Sequence, residues 1–300
     1  MNRAATLSSH AFIAALGAVA VLSIMDAVMK HLVLVIGIFA VSVWRAIANL
    51  VVASALYLPR KLPWPDRATL KIHILRAVVV TIMAFLFFWG IGRVPLAQAI
   101  ALTFIAPLIA MLLAMPLLGE RLGKSSIAGS FAAFAGVIVI VVGQGRAAVG
   151  DELMFGTAAI IGSALCYALN IVLMRRQALV AAPLEINFFQ SLCVLALWGA
   201  AIPLIGPPAW PGTEWRWVIV ACLLSTSGTL LFAWAYARGE ASYLAASEYS
   251  AFLWASALGW LAFSERLSLY TLAGAVLIVG GCLVAARRDF SAPPEIDVAV

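Results

Sequence analysis

The chain has 300 residues, of which 65% are hydrophobic and 11% are charged. A soluble domain carries about 25% charged residues, and its surface needs more polar side chains than this chain contains. Disordered chains are poor in apolar residues, so that class is excluded as well. The mean hydropathy of +1.08 and the net charge of +6 indicate a polytopic membrane protein whose basic residues set its orientation.

Ten apolar segments predict ten transmembrane helices, because a helix needs about 20 apolar residues to cross the hydrocarbon core. Charged stretches and stretches rich in Pro and Gly separate these segments. The predicted spans are approximately 11–33, 36–58, 70–92, 95–118, 126–143, 154–174, 184–205, 215–237, 241–263 and 269–286. The first span exceeds the apolar core of a signal peptide, so we expect the mature protein to retain it.

The sequence also contains an internal repeat at an offset of 145 residues. At this offset Trp89 matches Trp234, Arg93 matches Arg238, and Glu120-Arg121-Leu122 matches Glu265-Arg266-Leu267. Matches of Trp, Arg and Glu are rarer by chance in an apolar chain than matches of Ala or Leu, so they are the main evidence for the repeat. The repeat predicts two five-span units at residues 1–145 and 146–290, followed by a disordered tail at 291–300.

An odd number of spans in each unit places the two units in opposite orientations across the membrane. Secondary transporters use such inverted repeats, because an exchange of conformation between the halves exchanges access to the two sides. The predicted fold is an all-α integral membrane protein with two inverted five-helix repeats around a central cavity. Apart from Arg45 and Arg76, twelve lysines and arginines lie on the side of both termini and five on the other, which predicts cytoplasmic N- and C-termini.

Three segments of the sequence stand out, and together they include a proline in span four and a Glu-Arg-Leu triplet after each of spans four and nine. They read ALTFIAPLIAMLLAMPLLGERLG (101–123), GSALCYALNIVLMRR (162–176) and SEYSAFLWASALGWLAFSERLSLYTLAGAVLIVGG (247–281). Over residues 10–290 the chain resembles the drug/metabolite transporter superfamily in its ten-helix, EamA-type form. It is most similar to the exporters of aromatic amino acids, which also take some cationic drugs. Phe252 stands at the position that matches Pro107, so we expect span nine to lack a proline kink.

The resemblance implies a carrier in the bacterial inner membrane that binds small metabolites in a central cavity and moves them outward. Charges inside the spans are candidates for this site, because each costs at least about 2.5–3.5 kcal/mol at a helix centre. Asp26 and Arg45 flank the first turn at similar distances, so they are expected to pair, with Lys30 one helical turn away. They would bind the charged groups of an amino acid or form a structural ion pair. Glu248 would accept a proton or an ammonium group, or lie near the interface.

Other polar and aromatic residues extend this candidate site. Ser247, Ser250 and Trp254 have the spacing of one helix face, beside Tyr243 and Tyr249. Further candidates, for hydrogen bonds either to the substrate or between helices, are Gln98, Thr103, Tyr167, Asn170, Asn187 and Gln190. Trp89 and Trp254 would form an aromatic cavity wall for an aromatic or cationic substrate, or simply pack in the bundle.

These features predict a secondary transporter that exports small metabolites by alternating access, with aromatic or apolar amino acids and cationic drugs as the expected substrates. We expect a small-molecule substrate, contact with membrane lipid and a monomer or homodimer, with no nucleic-acid partner, cofactor or metal site. The four cysteines lie apart in apolar spans, which fits neither a disulfide framework nor a zinc site. The alternative is an integral-membrane enzyme acting on lipid or on a small hydrophobic substrate, but the sequence holds no metalloprotease or nucleophile-elbow motif.

Overall fold

The computed structural model describes residues 2–60, 64–106, 108–109, 113, 124–146, 151–178, 180–236 and 247–286. Within these ranges the backbone forms helices, turns and connections but no strand. The α-helices are α1 (Asn2–Ile36), α2 (Ile38–Tyr57), α3 (Arg67–Ile91), α4 (Leu96–Thr103), α5 (Lys124–Arg146), α6 (Asp151–Ala178), α7 (Pro183–Ile205), α8 (Trp215–Tyr236), α9 (Ala251–Phe263) and α10 (Leu269–Ala286). Short 3₁₀ helices at Leu58–Arg60 and Gly212–Glu214 follow α2 and precede α8.

Six of the described helices, α1, α2, α3, α6, α7 and α8, are long and apolar enough to cross a membrane. Shorter apolar helical runs lie at Phe131–Gly143, Ala251–Phe263 and Leu269–Gly281. Large apolar side chains such as Phe131, Leu204 and Leu261 are exposed on the outside of the bundle, where lipid tails would cover them. The prediction of an all-α integral membrane protein is confirmed.

The helices pack in pairs that the internal repeat relates. α1 packs against α8, and its repeat counterpart α6 packs against α3. The helices α5, α2 and α4 each pack against their own counterparts, α10, α7 and α9. Each repeat is therefore held mainly by contacts with the other. This pattern is expected of two inverted five-helix repeats that interlock around a pseudo-twofold axis in the membrane plane.

The short helix α4 lies at the centre of this bundle. Every residue from Leu96 to Leu102 is buried, and α6, α9 and α10 pack around the helix. Its side chains join a core cluster that includes Ile91, Ile160 and Ile278. A helix with apolar residues all around its surface is stable only when other helices enclose it.

Spans four and nine are both interrupted, and at the same position of the repeat. Turns at Phe104 and Ile105 follow α4, and turns at Tyr249 and Ser250 precede α9. In these turns Phe104 N donates to Ala101 O at 3.3 Å, and Ser250 N donates to Ser247 O at 3.0 Å. Such i→i+3 bonds are those of a 3₁₀ turn, so the regular α-helix stops in both spans.

Only the first interruption has a proline near it in the sequence. Pro107 has no N–H group, so it cannot donate the helical hydrogen bond to the carbonyl of Thr103. Phe252 leaves span nine without a proline kink, as expected, yet the span is interrupted nevertheless. The two interruptions therefore follow the repeat of the fold rather than the placement of proline.

The close contact of α5 with α10 depends on Gly274, because a Cβ atom there would lie 2.6 Å from the carbonyl oxygen of Gly136. We expect Gly274→Ala to lower the free energy of unfolding by about 1–3 kcal/mol, since the two backbones must move apart. Gly280→Ala on the same helix is the control, because a Cβ atom there meets nothing within 4 Å. Thermal unfolding in detergent measures both variants, and equal melting temperatures would contradict the prediction.

Candidate functional site

A cavity of about 440 Å³ lies between the two repeats, beside the interruptions of spans four and nine. This central cavity has room for an amino acid or a small drug. Its polar lining residues are Ser23, Asp26, Thr103, Tyr167, Thr229 and Glu248. Its apolar lining residues are Val19, Leu22, Ile100, Phe104, Met174, Phe232 and Ala251.

Helix α1 contributes one wall of the central cavity. Val19, Leu22, Ser23 and Asp26 follow the i, i+3, i+4, i+7 spacing that places side chains on one face of a helix. This face continues toward Lys30, one helical turn beyond Asp26. The cavity therefore extends along α1 from Asp26 in the direction away from Lys30.

The two interrupted spans meet at the cavity. Thr103 and Glu248 occupy equivalent positions of the repeat, and both line the cavity. The next residues, Phe104 and Tyr249, form an edge-to-face pair with ring centroids 5.4 Å apart and an interplanar angle of 83°. The pseudo-twofold axis relates these two rings, so the cavity lies at the interface of the repeats near the middle of the bundle.

The lining of the cavity is acidic and aromatic. Asp26 and Glu248 supply two carboxyl groups, while the lining residues in the described part of the chain include no lysine or arginine. Glu248 is close enough to Tyr167 of α6 to act electrostatically on its hydroxyl. With Phe104 and Phe232, Tyr167 gives the cavity three rings, whose faces attract cations. The arrangement suits a molecule with a positively charged amine and an apolar or aromatic body.

Arg45 is not among the residues that line the central cavity. Its guanidinium carbon lies 5.2 Å from the ring centroid of Phe88, and its Nε is buried without a hydrogen-bond partner. The charges of Arg45 and Asp26 interact. However, the ion pairs within 4.0 Å among the described residues do not include these two. Asp26 thus lines the cavity while Arg45 offsets part of its charge from behind.

A buried ion pair closes the bundle one helical turn beyond Asp26. Lys30, which is 5% exposed, pairs with Glu265 and donates to Val94 O at 2.7 Å. Glu265 Oε2 accepts from the backbone N–H of Leu96 at 2.8 Å, at the start of α4, where helical N–H groups lack partners. One carboxylate therefore joins α1 and α4 of the first repeat to the end of α9 in the second.

Two further polar side-chain pairs lie at the same end of the bundle, which we call the Lys30 face. His31 Nε2 lies 3.0 Å from Glu214 Oε2, and Arg93 Nε lies 2.8 Å from Glu152 Oε2. These pairs are more exposed than Lys30–Glu265, so they contribute less to stability. The opposite end, where α3 begins and α6 ends, is the His73 face.

The EamA-like transporter family matches the chain over residues 10–142 and again over residues 154–287. The chain belongs to this family. The resemblance inferred from the Glu-Arg-Leu triplets is thereby confirmed. The fold with ten spans around a central cavity is the architecture expected of such a member, and the chain is a multi-pass membrane protein of a transporter family.

Individual relatives in the EamA-like family are distant in sequence. The pseudopaline exporter CntI of Pseudomonas aeruginosa is 26% identical over 227 residues, which cover 74% of this chain and 77% of the relative. The aromatic amino acid exporter YddG of Ancylobacter novellus is 30% identical over 215 residues, 68% of this chain and 72% of the relative. A riboflavin transporter of Rhizobium johnstonii is 24% identical over 217 residues, with coverages of 72% and 70%.

One solved crystal structure has the same overall fold as this EamA-like chain. The two superpose with a TM-score of 0.60 at 23% sequence identity. The match covers 94% of this chain and 96% of the other. At this identity the likeness concerns the fold alone.

Four of the predicted site residues, Asp26, Thr103, Tyr167 and Glu248, meet at the central cavity of this EamA-like fold. Most of the other predicted residues make contacts elsewhere. Gln98 lines a small separate void beside Glu265, Trp89 stacks against Arg93 with 3.7 Å between guanidinium carbon and ring centroid, and Asn170 accepts from Arg76 Nε at 2.9 Å. The side-chain amide of Gln190 is buried without a partner, and Asn187 is exposed on α7. Tyr243 lies outside the described residues.

The single helix face expected for Ser247, Ser250 and Trp254 is not formed. Ser247 is 1% exposed and Trp254 is 43% exposed. The turn at Tyr249 and Ser250 separates these residues, so the spacing of a continuous helix does not apply across it. Tyr249 instead packs on Phe104 at the interface of the repeats.

Sequence reasoning missed Ser23, Phe104, Thr229 and Phe232 as lining residues. Ser23 lies three residues before Asp26, so helical spacing alone would have placed it on the cavity wall. Phe104 follows Thr103, but only the interruption of the span brings both residues to the cavity. Thr229 and Phe232 lie on α8, in a span whose single charged residue, Arg216, lies at its start and so does not mark the cavity side.

The Lys30–Glu265 pair allows a test by double mutation. Lys30→Met and Glu265→Gln should each lower the free energy of unfolding by about 3–5 kcal/mol, because each leaves a buried charge unpaired. The double variant should lose clearly less than the sum of the two. Glu152→Gln, which breaks the exposed pair with Arg93, is the control and should cost at most about 1 kcal/mol. Additive losses in chemical or thermal unfolding would show that Lys30 and Glu265 are not coupled.

Proposed function

We propose that this protein is a secondary transporter that exports small amine-bearing metabolites by alternating access. Aromatic or apolar amino acids are the proposed substrates, and cationic drugs are proposed as further ones. The observation that supports this most is the central cavity, in which two carboxyl groups lie among aromatic rings. An ammonium group leaves water for a buried site only where opposite charge and hydrogen bonds replace its hydration.

The lining suggests how such a molecule would bind. The ammonium group would lie between Asp26 and Glu248, and its apolar or aromatic side chain would pack on Phe104 and Phe232. In an amino acid the carboxylate would face the positive charge of Arg45, which interacts with Asp26. The relative named as an aromatic amino acid exporter supports this substrate class.

The closed end of the cavity supports alternating access. Lys30 and Glu265 join both repeats one helical turn beyond Asp26, so a substrate leaving toward the Lys30 face must wait until this pair separates. With cytoplasmic termini, as the basic residues favour, the Lys30 face is periplasmic and the cavity extends toward the cytoplasm. This geometry corresponds to the state in which an exporter of the inner membrane loads its substrate.

The proposal extends to the organisation of the chain. The proposed repeats are residues 1–145 and 146–290, and the tail expected at residues 291–300 lies outside the described residues. The protein works as a monomer or homodimer without cofactor or metal, and it is a carrier rather than an enzyme acting on lipid. The cavity favours the carrier, because its two carboxyl groups lie in the middle of the bundle, away from the headgroups that a lipid-modifying enzyme must reach.

Transport of labelled phenylalanine into proteoliposomes tests the cavity directly. Asp26→Asn and Glu248→Gln should each lower the apparent affinity roughly tenfold or more, because a hydrogen bond to a charged group contributes about 1.5–3 kcal/mol. Cells that overproduce the wild-type protein should also tolerate toxic aromatic amino acid analogues better than cells with either variant.

The control for the transport assay is Glu152→Gln, which removes a carboxylate at the exposed Lys30 face. It should leave the affinity for phenylalanine unchanged. A panel of anionic and neutral metabolites in the same assay tests the charge preference. Uptake of anions in preference to amines, or full activity of both cavity variants, would refute the proposed substrate class.

A further inference from the structure

A buried polar network connects α3, α6 and α7 near the His73 face. His73 of α3 and Gln177 of α6 are both 0% exposed. His73 Nε2 lies 3.2 Å from Glu185 Oε1 of α7, and His73 Nδ1 is bonded to Gln177 Nε2. Arg76 of α3 reaches the other end of the Gln177 amide. These four residues, the His73 network, do not line the central cavity and have no role in the transport step proposed above.

Arg76 fixes the direction of every hydrogen bond in the His73 network. A guanidinium group only donates, so Gln177 Oε1 accepts from Arg76 Nη1 at 2.5 Å. The amide nitrogen of Gln177 must then point at His73 Nδ1, which accepts. The proton of the imidazole is left on Nε2 and is donated to Glu185. The network therefore holds His73 in the Nε2–H tautomer, with Glu185 as the hydrogen-bond acceptor.

A second proton on His73 is incompatible with this arrangement. Protonated Nδ1 is a donor, and it would meet the N–H of Gln177. If the Gln177 amide rotates to offer its oxygen to Nδ1, its NH₂ group turns toward Arg76, which has no acceptor. Proton uptake at His73 and the Arg76–Gln177 hydrogen bond therefore exclude each other.

Loss of the Arg76–Gln177 hydrogen bond would affect the central cavity through α6. Arg76 also donates to Asn170 of α6 at 2.9 Å, so it holds this helix at two points. Tyr167 and Met174, which line the cavity, each lie three residues before one of these contacts, Asn170 and Gln177. The His73 network thus links α3 of the first repeat to a cavity wall of the second.

The surroundings of the His73–Glu185 pair leave one side for proton exchange. The Phe189 ring stacks on the imidazole with centroids 5.2 Å apart and an interplanar angle of 15°. Tyr57 of α2 lies near Glu185, and its hydroxyl is buried without a hydrogen-bond partner. Arg76 and Gln177 face the pair from α3 and α6. The Glu185 side chain is 15% exposed, so water reaches the pair through Glu185.

We propose that His73 and Glu185 form a proton-binding site, separate from the central cavity, whose occupancy shifts α6 at the cavity wall. A proton from water adds to Nδ1 of His73, the Gln177 amide rotates to accept it, and the Arg76–Gln177 bond breaks. The imidazolium then pairs with the Glu185 carboxylate. This inference goes beyond the proposed function, because the site responds to protons whichever molecule the cavity carries.

The ¹⁵N spectrum of histidine-labelled full-length protein in lipid nanodiscs tests the site. The signals that disappear in His73→Gln belong to His73. They should show the Nε2–H tautomer at high pH and the doubly protonated ring at low pH. In Gln177→Glu, a carboxylate can accept from both Arg76 and protonated Nδ1, so the midpoint of this titration should rise by about one pH unit or more.

Asn187→Asp is the matched control for Gln177→Glu, because it adds the same charge on the exposed side of α7. It should move the midpoint much less. An Nδ1–H tautomer in the wild-type protein, or an equal shift in the two variants, would overturn the assigned direction of the network. The wild-type tautomer decides this point even if a variant fails to fold.

The link to the cavity is measured with Met174→Cys in a chain whose four native cysteines are replaced. Its labelling rate by a membrane-impermeant thiol reagent is recorded over pH, with and without His73→Gln. The labelling rate with the native His73 is divided by the rate in His73→Gln at each pH. The pH dependence of the thiol's own ionisation is common to both rates and therefore cancels in this ratio. We expect this ratio to change about fivefold or more over the pH range in which His73 titrates. A constant ratio would show that the network is only structural, and neither result depends on the identity of the substrate.

Discussion

The requirement that backbone N–H and C=O groups find partners in hydrocarbon governs the whole arrangement. Regular helices meet it with their own i→i+4 hydrogen bonds, whereas the turns after Thr103 and before Ala251 meet it with i→i+3 bonds, whose geometry is poorer. Such irregular backbone at membrane depth is tolerated where protein rather than lipid surrounds it. This is why α4 is the most enclosed helix, with α6, α9 and α10 packed around it. The same turns bring Thr103 and Glu248 to the cavity. Burial of the interrupted spans and placement of the central cavity therefore have one cause.

Glu265 meets the same requirement at the end of α4. Its carboxylate accepts from the N–H of Leu96 and pairs with Lys30, and its backbone N–H donates to Gly259 O at 3.0 Å. The Glu-Arg-Leu triplet thus combines a helix cap with an ion pair between repeats. The offset of 145 residues matches Lys30 with Arg175 and Glu265 with Glu120. Both charges of the pair are therefore part of the duplicated sequence.

The sequence was sufficient for the all-helical membrane fold. It also singled out Asp26 and Glu248, which line the central cavity, because an uncompensated charge in a span is expensive wherever it occurs. The sequence was not sufficient to predict which polar side chains of different helices pair with each other. Lys30 lies one turn from Asp26 in sequence, yet it pairs with Glu265, 235 residues away. Likewise Asn170 bonds to Arg76 across the repeat interface. Interhelical pairing depends on which faces the packing brings together, and periodicity within one span does not contain that information.

The two repeats pack in equivalent pairs of helices, but their polar residues differ at equivalent positions. Within the repeat Asp26 matches Ile171, Tyr167 matches Leu22 and Glu248 matches Thr103, so each polar group that defines the cavity has an apolar or neutral counterpart. His73 matches Val218 in the same way. A symmetric backbone allows the two halves to exchange conformations, whereas symmetric charges would place four carboxyl groups in one cavity, where they would repel one another. In the proposed alternating access, the duplication provides the movement, and the residues that differ between the repeats determine the chemistry of the cavity.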